Sequence, residues 1–351
     1  MDLLHPRLDP GDRGGLPHRH PALGRALRRA RRHRGREPVT PMGADRILVT
    51  PRSLTSVDPS GIPELAPLRE RGYTIVITPA GLVPTADDLR EALPGVVGWL
   101  AGIEPITADV LAAAPDLRVI SRNGTGSENI DHAAAEARGV AVRTARGANA
   151  QGVAELALAH VMNAVRELSW ANAALHEGGW TRVRGREIAE LSVGLVGLGA
   201  IGAKVAGMFA ALGARIHFFD PFVAEAAGYE RHERLADLLA ACDVVSLHVP
   251  PTGDGPLISV SEVDAMRRGA ILVNTARSAL IDEDAVLAGL ETGRIGCYAV
   301  DAFDQEPPAL TPLLRHERTV MTPHAGGFTG ASVRRATEQA VAHIIDSLET
   351  V

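Results

Sequence analysis

Late in the chain, three residues of complementary chemistry each stand just beyond an apolar, β-branched run. Arg277 follows "AILVNTA" (270–276), Glu306 lies in "DAFDQEPP" soon after a run ending in Asp301, and His324 follows "TVMT" (319–322) inside "TPHAGG". Histidine exchanges a proton near neutral pH. A carboxylate on its other ring nitrogen favours the imidazolium, and a guanidinium grips a carboxylate at two points while polarising a neighbouring carbonyl. Those are the parts needed to move a hydride between a nicotinamide and C2 of a 2-hydroxy acid. Each residue alone reads as a surface side chain; the set has meaning only if one sheet carries all three beside a dinucleotide.

The dinucleotide signal is in "VGLVGLGAIGAKVA" (193–206), where Gly197, Gly199 and Gly202 form GxGxxG after an apolar strand and at the opening of a helix. Gly197 permits the tight turn, Gly199 lets the backbone approach a pyrophosphate, and Gly202 lets helix and strand pack closely. The amides of Ala200 and Ile201 then meet the phosphate charge. Asp220 ends the next strand, close to the separation of about 20 residues at which an acid accepts hydrogen bonds from the ribose hydroxyls. Its charge repels a 2′-phosphate, so NAD is expected rather than NADP.

These residues need a parallel sheet to hold them. From Arg46 onward short β-branched runs alternate with Ala/Leu-rich amphipathic stretches, which predicts an α/β fold with helices flanking parallel strands. Strands are expected over 46–50, 74–78, 95–101, 118–122 and 140–144, giving one doubly wound domain within residues 45–146. "QGVAELALAHVMNAVRELSW" (151–170) predicts a single long helix. Six further strands, over 191–197, 214–220, 243–249, 270–276, 295–301 and 319–322, suit a dinucleotide-binding domain over residues 147–322. A last helix over about 329–349, within the closing segment 323–351, has no strand after it and can pack on either domain. Ligands of such sheets lie beyond the carboxyl ends of the strands, where Arg277, Glu306 and His324 stand.

At 351 residues and 46% hydrophobic content the chain can form two cores of ordinary size. A net charge of −6 argues against a general nucleic-acid binder, and no stretch approaches the roughly 20 apolar residues of a membrane span. Cys242 and Cys297 lie far apart without CxxC or Cys/His spacing, so no disulfide, zinc or other metal site is expected, and a reducing, cytoplasmic setting fits. Residues 1–44, with "RALRRARRHRGREP" (25–38), read as a disordered basic extension, or as a start placed ahead of Met42. An arm for nucleic acid or an anionic surface is the alternative.

Several motifs in order, "ILVTPRS" (47–53), "ISRNGTGSENID" (120–131), "GANAQGVAELALA" (147–159), "GLVGLGAIG", "DVVSLHVP" (243–250), "ILVNTARSALIDEDAV" (271–286), "AVDAFDQEP" (299–307) and "TPHAGG", resemble the D-2-hydroxyacid dehydrogenase family, in particular its 3-phosphoglycerate-dehydrogenase-like branch. The likeness runs from about Arg46 to Leu348. It implies a flavodoxin-like substrate domain, completed by the last helix, and a Rossmann domain for NAD, with a cleft between them. It implies Arg277, Glu306 and His324 as the catalytic trio, and backbone amides of Asn123, Gly124 and Thr125 for the substrate carboxylate. On the cofactor side it implies Asp301 and the Ala276 backbone at the carboxamide, Val249 and Pro250 at the adenine, and Thr125 and Gly326 nearby. A homodimer built on the long helix after Gly147 is expected too.

Ser278 stands where many such proteins have glycine, which puts the arginine's orientation in question, and Glu306 in place of glutamine argues against the formate dehydrogenase branch. Arg52 and Ser53, just after the first strand, are placed to hold a second anionic group such as a phosphate or phosphonate; a solvated loop is the plain alternative. No regulatory domain follows Val351, which sets the expectation away from feedback-controlled serine synthesis. An NAD-responsive scaffold like the C-terminal-binding-protein corepressors, or a phosphite dehydrogenase, are the rival readings.

Overall fold

Short apolar runs separated by helical crossovers leave parallel pairing as the ready way to satisfy the strand backbones. The structure, a computed structural model, describes residues 45–350 apart from 57, 79, 80, 181 and 227. The extension expected over residues 1–44 lies outside the described residues.

The first sheet comprises β1 (Arg46–Val49), β2 (Thr74–Ile77), β3 (Val96–Ala101), β4 (Val119–Arg122) and β5 (Ala141–Thr144) in the order β2-β1-β3-β4-β5, all parallel. The second comprises β6 (Ser192–Val196), β7 (Arg215–Phe219), β8 (Glu230–Arg231), β9 (Val244–Leu247), β10 (Ala270–Asn274), β11 (Ile295–Val300) and β12 (Thr319–Met321), in the order β12-β11-β10-β9-β6-β7-β8, again all parallel. These are the flavodoxin-like and Rossmann orders, each with a crevice where the winding direction reverses.

Alternate residues of each strand feed opposite faces, so each sheet has two apolar cores. Leu48, Trp99 and Ile120 point to one side of the first sheet, and Ile47, Val49, Leu100 and Val119 to the other. In the second sheet Val245, Leu272 and Tyr298 face one core, and Val244, Val273 and Ala299 the other. Such near-continuous apolar strands are what a sheet covered on both faces demands. Several helix starts are fixed by side-chain caps, as where Thr329 accepts from the Ser332 amide at 3.1 Å and Asp282 from that of Ala285 at 3.1 Å.

Two features depart from the expected pattern. Seven strands form the second sheet rather than six, because Glu230–Arg231 pairs with β7 through His217 and Phe218; two polar residues carry no periodicity that would reveal them. The single helix expected over 151–170 is two, Ala150–Arg166 and Leu168–His176, with Glu167 left-handed between them at φ 51°. The break is held by side chains on either side. Asn163 accepts from the Ser169 amide at 2.8 Å, and Glu167 binds Arg318 at 3.1 Å, whose guanidinium lies 5.1 Å over the Trp170 ring. The second of these helices buries no residue.

The last helix, Gly330–Glu349, packs on the first sheet. Its Ala340, Val341, Ile344, Ile345 and Leu348 join the core formed by Ile47, Val49, Leu100 and Val119. No helix among the described residues is long and apolar enough to cross a membrane. Because Ile344 is fully buried in that core, Ile344→Ala is expected to destabilise the protein by about 2–5 kcal/mol in urea unfolding. A cost below about 1 kcal/mol would mean that the helix does not carry this packing.

Candidate active site

The loop after β6 is shaped for a close approach. Gly197 adopts φ 92°, and a Cβ on it would stand 2.6 Å from Val249 Cγ1 and 2.7 Å from the His248 carbonyl, so any side chain there would collide. A Cβ on Gly202 would strike the Gly197 carbonyl, whereas at Gly199 nothing lies within 4 Å. The loop is therefore closed on its inner side and open where a pyrophosphate would rest. Gly199 is the N-cap of the helix Ala200–Ala211, which leaves Ala200 and Ile201 in its first turn with amides directed out of the helix end.

Asp220, nine-tenths buried, accepts from the Leu198 amide at 2.8 Å and from the Phe222 amide at 2.8 Å. Its carboxylate is thus locked against the glycine loop, one lone pair of each oxygen still available for a ribose. Val249 is half-buried beside Gly197, and Pro250 is exposed at the same rim. Open space at Gly199, free first-turn amides and a fixed acid together fit a dinucleotide.

Arg277, Glu306 and His324 follow β10, β11 and β12, three neighbouring strands, so all stand beyond one carboxyl edge. His324 Nδ1 lies 2.6 Å from Glu306 Oε1, both half-exposed. That contact fixes the proton on Nδ1 and leaves Nε2 for a substrate. His324 has φ 50°, unusual outside glycine though several-fold enriched for histidine. The turn is held from beneath by Asp301, which is 2% exposed. Its Oδ1 accepts from Thr322 Oγ1 at 2.6 Å and the Ala325 amide at 2.8 Å, and its Oδ2 from the Gly326 amide at 2.8 Å. The structure thus shows Asp301 and Gly326 first of all fastening the His324 turn.

The arginine's turn is organised by buried Asn274, whose Nδ2 donates to the Arg277 carbonyl at 2.8 Å and whose Oδ1 accepts from the Ala276 amide at 3.1 Å. Ser278 opens a short 3-10 turn without positive φ, so a side chain costs nothing there. Its hydroxyl bonds Asp304, tying the arginine's loop to the one that carries Glu306.

Arg277 reaches across to the first domain. Its Nε and Nη2 lie 3.2 and 2.9 Å from Glu128 Oε1, in the loop after β4. Partial burial pushes the Glu128 carboxyl up, but its own backbone amide and Arg277 pull it further down, below the usual carboxylate range. Glu128 was not singled out from the sequence, nor was Arg122, at the end of β4. Arg122 donates from Nη1 to the Asn123 carbonyl at 2.8 Å, and its Nε is buried without a partner among the described residues. Burial lowers the Arg122 pKa, opposed by the charges of Glu104 and Glu128. The signal that flagged Arg277, a charge closing an apolar strand, applied equally to Arg122 in "VISRNG".

Of the three backbone amides expected to meet a substrate carboxylate, those of Asn123 and Gly124 already have acceptors within the protein. The Asn123 amide donates to the Ala101 carbonyl at 2.8 Å and that of Gly124 to the Arg122 carbonyl at 2.9 Å, so both are engaged within the loop. Thr125 donates its hydroxyl to Asn149 Oδ1 at 3.1 Å. Arg52 is exposed and Ser53 half-buried in the short helix Arg52–Thr55 after β1, at the same carboxyl edge of the first sheet as the Asn123 loop.

Residues 158–326 match the family model described as "D-isomer specific 2-hydroxyacid dehydrogenase, NAD binding domain". The chain is 38% identical over 260 residues to D-3-phosphoglycerate dehydrogenase of Mycobacterium tuberculosis, an alignment covering 72% of this chain and 49% of that protein, so it spans about half the length of such relatives. It is 34% identical over 269 residues to hydroxypyruvate reductase of Thermotoga maritima, covering 75% of this chain and 88% of that one. Among solved structures, the TT0316 protein from Thermus thermophilus superposes with a TM-score of 0.77 at 32% identity, covering 87% of this chain and 97% of that one.

Since a Cβ at position 197 has nowhere to go, Gly197→Ala is expected to weaken NADH binding at least about tenfold, equivalent to about 1.4 kcal/mol, in a fluorescence titration with the far-ultraviolet spectrum unchanged. Unaltered affinity would remove this loop from the nucleotide site.

Proposed function

The chain belongs to the D-isomer specific 2-hydroxyacid dehydrogenase family, and from that premise we propose that it is an NAD-dependent oxidoreductase interconverting a small 2-hydroxy acid and its 2-keto acid. The observation that carries the reading is the 2.6 Å contact between His324 Nδ1 and Glu306, at the carboxyl edge of the sheet whose first strand opens the glycine-rich loop. NAD(H), held by the loop of Gly197, Gly199 and Gly202 with Asp220, supplies or accepts the hydride at C2. Residues 45–146 and 323–351 take the substrate and residues 147–322 the cofactor.

In the reducing direction His324 gives its Nε2 proton to the C2 oxygen, and in the oxidising direction it takes that proton back. Glu306 stabilises the imidazolium through Nδ1 and keeps the ring aimed. Arg277 binds the substrate carboxylate and polarises the C2 carbonyl. Its contact with Glu128 through two guanidinium nitrogens displays the side of the fork that such a carboxylate meets. Glu128 therefore occupies the arginine until substrate arrives. Arg52 and Ser53 follow β1 at the same sheet edge at which Arg122 closes β4, and the exposed Arg52 supports a substrate with a second anionic group, a phosphate or phosphonate.

Further support comes from elsewhere in the chain. The exposed Met162, Leu168, Leu175, Trp180 and Val183 around the two helices Ala150–Arg166 and Leu168–His176 favour a homodimer seated there. Buried, unpaired Cys242 and Cys297 favour the cytoplasm.

With hydroxypyruvate and NADH as the assay, His324→Ala is expected to lower kcat by about 10² to 10⁴, the contribution of general acid–base catalysis, while NADH binding stays intact. Undiminished turnover would take His324 out of the reaction. Glu128→Gln frees Arg277 from an exposed ion pair worth about 0.2–1 kcal/mol, so KM should fall by up to about fivefold with kcat retained. A rise in KM would instead make Glu128 part of the substrate's own binding set.

A further inference from the structure

At the opposite edge of the second sheet from the trio, β7 and β8 bring three metal-ligating side chains together. His217 lies on β7, Glu230 on β8 and His232 just after it. His217 Nδ1 stands 3.1 Å from His232 Nε2 and 3.4 Å from Glu230 Oε2, and His232 Nε2 stands 3.7 Å from Glu230 Oε1. Ligand atoms held about 2.0–2.1 Å from a tetrahedral zinc ion are separated by about 3.3–3.4 Å, so these three span the spacing such an ion requires. We infer that His217, Glu230 and His232 form a divalent-cation site, suited to zinc, that clips the edge strand β8 to β7.

The surroundings favour a cation over a simple hydrogen-bonded pair. The His217 side chain is 9% exposed and that of His232 12%, while Glu230, 65% exposed, closes the site from the solvent side. Two shielded imidazoles capped by one carboxylate supply N and O donors of the kind zinc takes, and solvent can fill the fourth position. Burial lowers the pKa of His217, against the pull of Glu230. Arg215 and Arg267 act on His217 in the same direction as burial, and the Glu230 charge opposes them beside the site. The 3.1 Å nitrogen contact needs a proton between the rings when no metal is bound; the ion replaces that proton.

The site is separate from the proposed catalytic residues, yet coupled to the nucleotide side by position. His217 lies on β7 three residues before Asp220, which directly follows that strand, so the clip braces the strand that leads into the cofactor acid. Sequence spacing carries no sign of it. His217 and His232 are 15 residues apart in no recognised ligand pattern, and only the pairing of β8 with β7 unites them.

The test is a calorimetric titration of the chelator-treated, full-length chain with ZnCl2, beside Glu230→Gln and His232→Ala. The wild-type protein should bind one more zinc ion per chain than either variant, and zinc should raise its melting temperature while leaving theirs unmoved. Either substitution should weaken binding at this site by about tenfold or more, since even outer-shell partners are worth about 10- to 100-fold. His5, His18, His20 and His33 are common to all three proteins, so zinc they capture cancels in the comparison. Equal stoichiometry and affinity in wild type and Glu230→Gln would overturn the site and leave an ordinary hydrogen-bonded histidine pair. Glu230 is exposed enough for that variant to decide the matter should His232→Ala not fold.

Discussion

One buried carboxylate holds the proposed catalytic end of the molecule together. Asp301, just beyond β11, accepts three hydrogen bonds from the segment Thr322–Gly326, and those bonds close the turn in which His324 sits left-handed. A left-handed residue other than glycine costs about 1–2 kcal/mol. Hydrogen bonds to a charged acceptor contribute about 1.5–3 kcal/mol each, so three of them outweigh that cost with margin. The strain is then stable, and its consequence is direction: the imidazole is turned onto Glu306, 2.6 Å away. Without Asp301 the histidine would be one more polar residue in a loop.

The electrostatics of the facing domain rest on a similar sharing of partners. Glu104 is buried at the carboxyl edge of the first sheet. Burial drives its pKa up, while Thr50 and the Gly102 amide, which donate to it, act in the opposite sense. Its charge also steadies Arg122, whose guanidinium would otherwise be an uncompensated cation in a partly dry place. Arg122 and Arg277 thus approach the same loop from two domains, each near a carboxylate of the protein itself. Under the proposed function, an anionic substrate entering there would meet both guanidiniums and displace the exposed partner, Glu128.

How much of this was legible in the sequence depends on whether a feature is local. The eleven expected strands came through within one or two residues, because a strand covered on both faces is apolar throughout and flanked by turns, whereas the two-residue β8 gave no such signal. GxGxxG came through because its three glycines answer to collisions inside a single strand-to-helix turn. The positions of Arg277, Glu306 and His324 followed from the rule that ligands gather at carboxyl ends. What stayed hidden depends on partners distant in sequence: the left-handed break at Glu167, fixed by Arg318; the clasp of Arg277 on Glu128; the role of Arg122; and the meeting of His217 with Glu230 and His232. The engaged amide of Asn123 belongs to the same class, since its acceptor, the Ala101 carbonyl, is visible only once β3 and β4 lie side by side.

The most direct test of the central assignment is NADH oxidation by the wild-type chain, followed by absorbance, across a panel of 2-keto acids with and without a phosphate or phosphonate group. A dehydrogenase with this arrangement oxidises NADH rapidly with at least one member, and confinement to the phosphorylated or phosphonylated members would place Arg52 in the substrate site. Tight NADH binding with no oxidation across the whole panel would contradict the assignment of His324 as proton donor and point to a nucleotide-responsive scaffold instead.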